Sequence, residues 1–102
     1  MIRYISAVHY GKNYKGNLVI QEVEVRTSSN SYGTYSAPTI WTRQEVIDSI
    51  ENFCNFFTIV KTANGYFKLG DKVEVVTINL TKYIRTDGNR TEADNLGELD
   101  TF

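Results

Sequence analysis

One stretch limits the fold more than any other: WTRQEVIDSIENFC, running from Trp41 to Cys54. Thr42 followed three residues later by Glu45 is a capping box, in which each side chain satisfies an orphan backbone N–H at a helix start. Trp41 before the cap and Val46 inside the first turn have the spacing of a hydrophobic staple. Val46, Ile47, Ile50, Phe53 and Cys54 then share one stripe, with Arg43, Asp48, Ser49 and Glu51 on the other side. The pattern predicts a single amphipathic helix over residues 42–55. Its apolar face needs a cover, and the remainder of the chain offers strands.

IRYISAVHY, from Ile2 to Tyr10, is β-branched and aromatic, with apolar residues on both faces, as an inner strand requires. GKNYKG has turn composition. In NLVIQEVEVR, Val19, Val23 and Val25 face one way and Glu22, Glu24 and Arg26 the other, which predicts a half-buried antiparallel partner for the first strand. Residues 27–39, TSSNSYGTYSAPT, have no period and read as a long loop. Their Tyr, Ser, Gly and Asn mixture is that of recognition loops and equally that of a plain flexible connection.

After the helix, Asn64-Gly65 between β-rich runs signals a type I′ hairpin, and Gly70-Asp71 marks a second break. Val73, Val75, Val76 and Ile78 form an apolar run, NLTK a tight turn, and KYIRT a last, edge strand. The expected architecture is α+β, in the order β-β-α-β-β-β. It comprises a twisted antiparallel sheet of about five strands, the helix on one face, and a short C-terminal helical turn, as one domain over residues 1–102.

Bulk properties exclude several function classes. A chain of 102 residues with 41% hydrophobic content forms one core without staples. Eleven basic against 12 acidic residues leave a net charge of −1, which lacks the field of a dedicated phosphate-backbone binder. Cys54 is the only cysteine, so no intrachain disulfide or thiolate metal cage forms. No stretch approaches the ~20 apolar residues of a membrane span, and MIRYISAVHY lacks a signal-peptide core, so a cytoplasmic protein away from membranes is expected.

The ending, TKYIRTDGNRTEADNLGELDTF, concentrates polar chemistry, and four readings compete for it. Asp87, Asn89, Thr91, Asn95 and Glu98 match calcium-loop spacing, but Glu92 stands where that loop needs Gly and a strand precedes it. Catalysis has only His9 as a base, with Asp87 or Asp94 to orient it and Tyr4, Tyr83 or Cys54 to activate. No spacing rule joins them, so no catalytic residue is assigned. HYGKNYKG interleaves His9, Lys12 and Lys15 with Tyr10 and Tyr14, as a single-strand binder would, yet Glu22 and Glu24 lie on the next strand. The fourth reading is a structural closure. Thr91 and Asp94 start one helical turn, Gly97 ends it, Arg85 pairs with Asp87 or Asp94, and Leu96, Leu99 and Phe102 dock on the sheet, Phe102 as an apolar latch.

The order of signals resembles a family of small bacterial and phage proteins classed as a domain of unknown function. The resemblance rests on MIRYISAV, TRQEVIDSIEN, VEVVTIN and KYIRTDGNRTEADNLGELDTF, and runs nearly end to end. Relatives end in a KYLRT-like strand, an Asp/Asn-rich turn, DNL-G and a Leu-Pro-x-Phe finish. Here Tyr83, Arg85, Thr86, Asp87, Asp94, Asn95, Leu96, Gly97, Leu99 and Phe102 occupy matching places. Asp100 stands where Pro is common, and Leu80 where Gly often follows Asn. The resemblance implies a fold and transfers no activity.

The expectation is a non-enzymatic binding protein without cofactor or metal, docking a protein partner through residues 28–38. A phage or mobile-element inhibitor of host defence is one concrete form. The alternative is a small-molecule or nucleotide module with Arg85 on an anion and Tyr83, Tyr4 or Trp41 stacked on a ring; nucleic acid ranks lower. Tyr32, Tyr35, Tyr83, Arg85, Asp87, Asp94 and Asn95 are the candidate binding residues, and homo-oligomerisation through open sheet edges is a further expectation.

Overall fold

The computed structural model describes residues 2–28, 35–87, 93–97 and 99–102. Its elements are β1 (Ile2–Lys12), β2 (Leu18–Arg26), β3 (Thr39–Thr42), α1 (Arg43–Glu51), β4 (Asn55–Lys61), β5 (Phe67–Ile78), β6 (Thr81–Arg85) and β7 (Asp100–Thr101). They form one sheet in the order β3-β2-β1-β4-β5-β6, with β7 also on β1. The fold is mixed α and β, mostly strand, with one helix packed against β2, β3, β4 and β5.

The sheet is not purely antiparallel. β1 and β4 run parallel from Ile2↔Asn55 to Ile5↔Thr58, and β7 joins β1 in parallel at Ala7↔Asp100 and Val8↔Thr101. The reason lies in the connection: β2, β3 and α1 carry the chain across the sheet and back, so β4 enters beside β1 in the same direction. Two strands also exceed the expected five. β3 hides in what reads as the end of a loop and the approach to the helix, pairing Thr39 to Thr42 with Val25 to Glu22. Four residues are too few to show a strand period.

The capping box forms as expected: the Thr42 hydroxyl accepts from the Glu45 N–H at 3.2 Å, and the Glu45 carboxylate accepts from the Thr42 N–H at 2.9 Å. The helix stops at Glu51, short of residue 55. Phe53 N–H donates to Ile50 O at 3.1 Å and Cys54 N–H to Ser49 O at 2.9 Å, the two bonds of a Schellman closure. That closure puts Phe53 in the left-handed region at φ 67 and leaves it 91% exposed, off the buried stripe. Val46 and Ile47 are buried, and Ile50 and Cys54 pack partly against the core.

The core gathers Ile5, Val8, Ile20, Val23, Val25, Phe56, Val73 and Ile84 from the sheet around Val46 and Ile47. The Trp41 ring meets Phe56 edge-on, centroids 5.9 Å apart, with the Arg3 guanidinium 4.8 Å from its centroid. Two turns differ from expectation. At the β4–β5 tip, Gly65 N–H donates to Thr62 O at 3.0 Å and only Gly65 has positive φ, which is a type I turn with a bulge. The type I′ geometry instead sits between β5 and β6, where Asn79 and Leu80 have φ of 50 and 67. Gly70 does not break β5. A Cβ there would lie 2.2 Å from Thr58 Oγ1, so the glycine allows β4 and β5 to approach where their register shifts.

Candidate binding surfaces

The polar ending supplies a buried node. Asp94 is 2% exposed, and its carboxylate accepts from Ile20 N–H at 2.7 Å, Ile84 N–H at 2.8 Å, and Arg43 Nε and Nη2 at 2.7 and 3.1 Å. Arg43 also donates to Lys82 O, and Asp94 N–H to Leu18 O at 3.0 Å. One side chain thus ties β2, β6 and the first turn of α1, and each of its oxygens accepts two bonds. A carboxylate in this position is consumed by the architecture.

The expected helical turn is absent from the described residues here. Asn95 instead bridges Arg85 in parallel, donating its N–H to Ile84 O at 2.9 Å and accepting from Thr86 N–H at 3.0 Å. Thr91, the expected cap, lies outside the described residues. Gly97 has the expected left-handed conformation, φ 79, but ends no helical turn among the described residues; its N–H donates to Asn95 Oδ1 at 2.9 Å. Arg85 pairs with Asp87 and not with Asp94: Nε and Nη2 reach Asp87 at 2.7 and 3.1 Å, while Nη1 donates to Ala93 O at 2.7 Å. Leu96 is buried and Leu99 packs partly on the core, but Phe102 is 46% exposed. Its N–H donates to Val8 O at 3.1 Å and its ring lies against His9, 5.9 Å between centroids, so it is a rim contact and not a latch. His9 Nδ1 contacts the Phe102 backbone oxygen.

The other candidates are dispersed. Tyr83 is buried with Val19 and Ile78, its hydroxyl accepting from Asn17 Nδ2 at 3.2 Å. Arg85 is 3% exposed and Asn95 exposed. Tyr32 lies outside the described residues, as do Asn89 and Glu98. Tyr35 belongs to the loop and sits on the sheet face opposite the helix, edge-on to Tyr4 at 5.0 Å and to Phe67 at 5.7 Å. Burial, and then the neighbouring Tyr4, raise its pKa from 10.0. Neither principal cavity is lined by any of the seven candidate residues.

The loop base is closed by hydrogen bonds between Thr27 and Ser36. Ser36 N–H donates to Thr27 O at 2.8 Å, Thr27 N–H to Ser36 Oγ at 2.9 Å, and Ser28 bridges Tyr35. Arg26 reaches Ser36 O at 3.1 Å and Ser6 Oγ at 3.0 Å, its guanidinium over the Phe67 ring at 5.0 Å. Beside this base lies a cleft of about 200 Å³, between β1 with β7 and the β4–β5 hairpin, lined by Ser6, Glu24, Arg26, Lys61 and Phe67. A larger groove of about 570 Å³ runs between the end of α1 and β5, with Ile50, Phe53, Cys54, Glu74 and Val75 on its walls. Sequence reasoning missed both. The groove's signal was Phe53 at a helix end where Gly is usual, a position that costs a non-glycine residue roughly 1–2 kcal/mol.

Among the described residues, no three His, Cys, Asp or Glu side chains are grouped to hold a metal ion, and no helix is long and apolar enough to cross a membrane. His9 lies opposite Glu22, the carboxylate expected to offset the HYGKNYKG patch. A family model described as "Protein of unknown function (DUF3892)" matches residues 4–100. No curated protein and no solved structure matches the chain.

Proposed function

For a member of the DUF3892 family, to which this chain belongs, we propose a role as a small non-enzymatic interaction protein that docks a protein partner through residues 28–38. The observation that carries the reading is the anchored loop base. The Tyr35 ring is clamped between Tyr4 and Phe67, and Thr27 and Ser36 are joined by two bonds, so the described residues on either side of the loop form a fixed platform. A loop with Tyr, Ser, Gly and Asn on such a base gives contact area at low ordering cost. Inhibition of a host defence protein by a phage or mobile-element product is the concrete form that size and family context suggest, by association alone.

The test replaces residues 31–34 with a Gly-Ser linker, leaving Tyr35 and Ser36 in place. Affinity capture from the native host should recover a partner with the original chain and lose it with the variant, at equal melting temperature. A partner held equally well by both would discard this surface. A second reading, a small-ligand module, draws on the cleft where Lys61 and Arg26 flank Phe67. Native mass spectrometry of protein from its host would show a co-purified small ligand under that reading and a clean apo mass otherwise.

A further inference from the structure

We propose that the β1–β2 and β5–β6 turns together form a peripheral docking site for an anionic lipid surface. Such a contact works at the headgroup level and requires no spanning helix. The two turns leave from one cluster. Val19, just after the first turn, and Ile78, just before the second, are buried with Tyr83, whose hydroxyl accepts from Asn17 Nδ2 at 3.2 Å. The first turn is fixed from within: Asn13 Oδ1 accepts from Lys15 N–H at 2.9 Å and from Asn17 N–H at 3.0 Å, and Gly16 N–H donates to Asn13 O at 2.9 Å. The second is the tight Asn79-Leu80 turn, closed by the Ile78↔Thr81 pair. Side chains on fixed turns meet a surface at little ordering cost.

What the turns present is apolar and cationic. Leu80 is 98% exposed, Tyr14 91%, and Leu18, at the foot of the first turn, 46%. Leu80 holds a left-handed backbone that L side chains disfavour and gains no burial in return. An aliphatic group kept in water against backbone preference implies a partner that buries it. Charge defines that partner. Residues 8–20 and 75–86 contain no Asp or Glu, although the whole chain has 12 acidic residues against 11 basic. Lys12 and Lys15 make no ion pair among the described residues, and Lys15 Nζ lies 5.8 Å from the Tyr14 ring centroid. Lys82 and Arg85 are already paired with Glu51 and Asp87, and the Asp94 carboxylate is buried against Arg43. Glu22, the next acid along β2, stands opposite His9, below the turn. The uncompensated charge at the turns is therefore positive. Leucines favour hydrocarbon, tyrosine the interfacial layer, and lysines reach lipid phosphates on their flexible stems. A single-stranded nucleic acid would need successive stacking rings along a cationic groove, and these turns expose one ring, that of Tyr14.

The test mixes the chain with vesicles of phosphatidylcholine and phosphatidylglycerol in equal parts, or of phosphatidylcholine alone, and reads binding by flotation. Expected is binding to the anionic vesicles at least about tenfold stronger than to the neutral ones, and weakened by salt. Leu80→Gly should raise the melting temperature yet weaken anionic-vesicle binding at least about fivefold, a split that a purely structural role would not produce. The double variant Lys12→Gln/Lys15→Gln should bring the two vesicle types within about twofold of each other. A spin-labelled lipid in the anionic vesicles should broaden the amide signals of Tyr14, Lys15, Leu80 and Thr81 first. The proposal is overturned by an absence of binding to anionic vesicles up to millimolar lipid, by undiminished binding of Leu80→Gly, or by a double lysine variant that keeps the preference. Broadening centred outside residues 12–18 and 78–82 overturns it as well. Amide shifts at the same turns with oligothymidylate, while vesicles stay unbound, would assign them to nucleic acid and equally overturn it.

Discussion

At the residue scale, Asp94 shows how a polar side chain in a suggestive sequence becomes architecture. Its four hydrogen bonds go to two strand amides and one guanidinium. Truncation would leave Ile20 and Ile84 N–H unsatisfied and Arg43 without its counter-charge. Breaking a buried pair costs about 3–5 kcal/mol, and because Arg43 is 21% exposed and can recover some hydration, the lower end applies to Asp94→Ala. That is a large part of the ~5–15 kcal/mol that holds a domain folded, so the variant should melt more than about 12 °C lower. Asp94→Asn keeps the shape and one acceptor and should fall between, as read from urea midpoints. Sequence alone placed Asp94 and Arg43 in different stories, one in a tail and one on a wet helix face. Fifty-one positions separate them, and no local period links a helix cap to a C-terminal loop.

At the element scale, the capping box was fully legible because both partners lie within one turn. The helix C-terminus was not, since Phe53 fits the apolar period and gives no Gly signal. β3 escaped because its pairing is decided by β2 and not by its own four residues. Turn chemistry misled in the same way. Asn64-Gly65 looked like the type I′ hairpin, while Asn79-Leu80 adopts it. Leu80 is left-handed at φ 67 and 98% exposed, so its side chain stabilises nothing through burial in the isolated chain. Leu80→Gly should therefore stabilise the β5–β6 hairpin, by about 0.5–1 kcal/mol once the extra freedom of glycine in the unfolded chain is subtracted. Calorimetry reads that sign directly, and a destabilised variant would mean that the Leu80 side chain has a packing role.

At the scale of the whole molecule, an α+β class, one helix on one face and an inner first strand followed from residue patterns. The parallel β1–β4 pairing did not, because strand direction depends on where α1 returns the chain, and composition carries no record of that path. The groove was legible only through one misplaced aromatic, and residues 29–34 of the loop proposed from composition lie outside the described residues. The loop base and the groove both depend on a sheet whose β2 and β6 are held together by the chain's ending. Amide hydrogen exchange at Ile20 and Ile84 tests that directly, since their N–H groups are given to Asp94 and not to a neighbouring strand. Both should exchange only through global unfolding, as slowly as the core amides of β1. Exchange at loop-like rates while β1 stays protected would contradict the account and return the polar ending to the list of exposed sites.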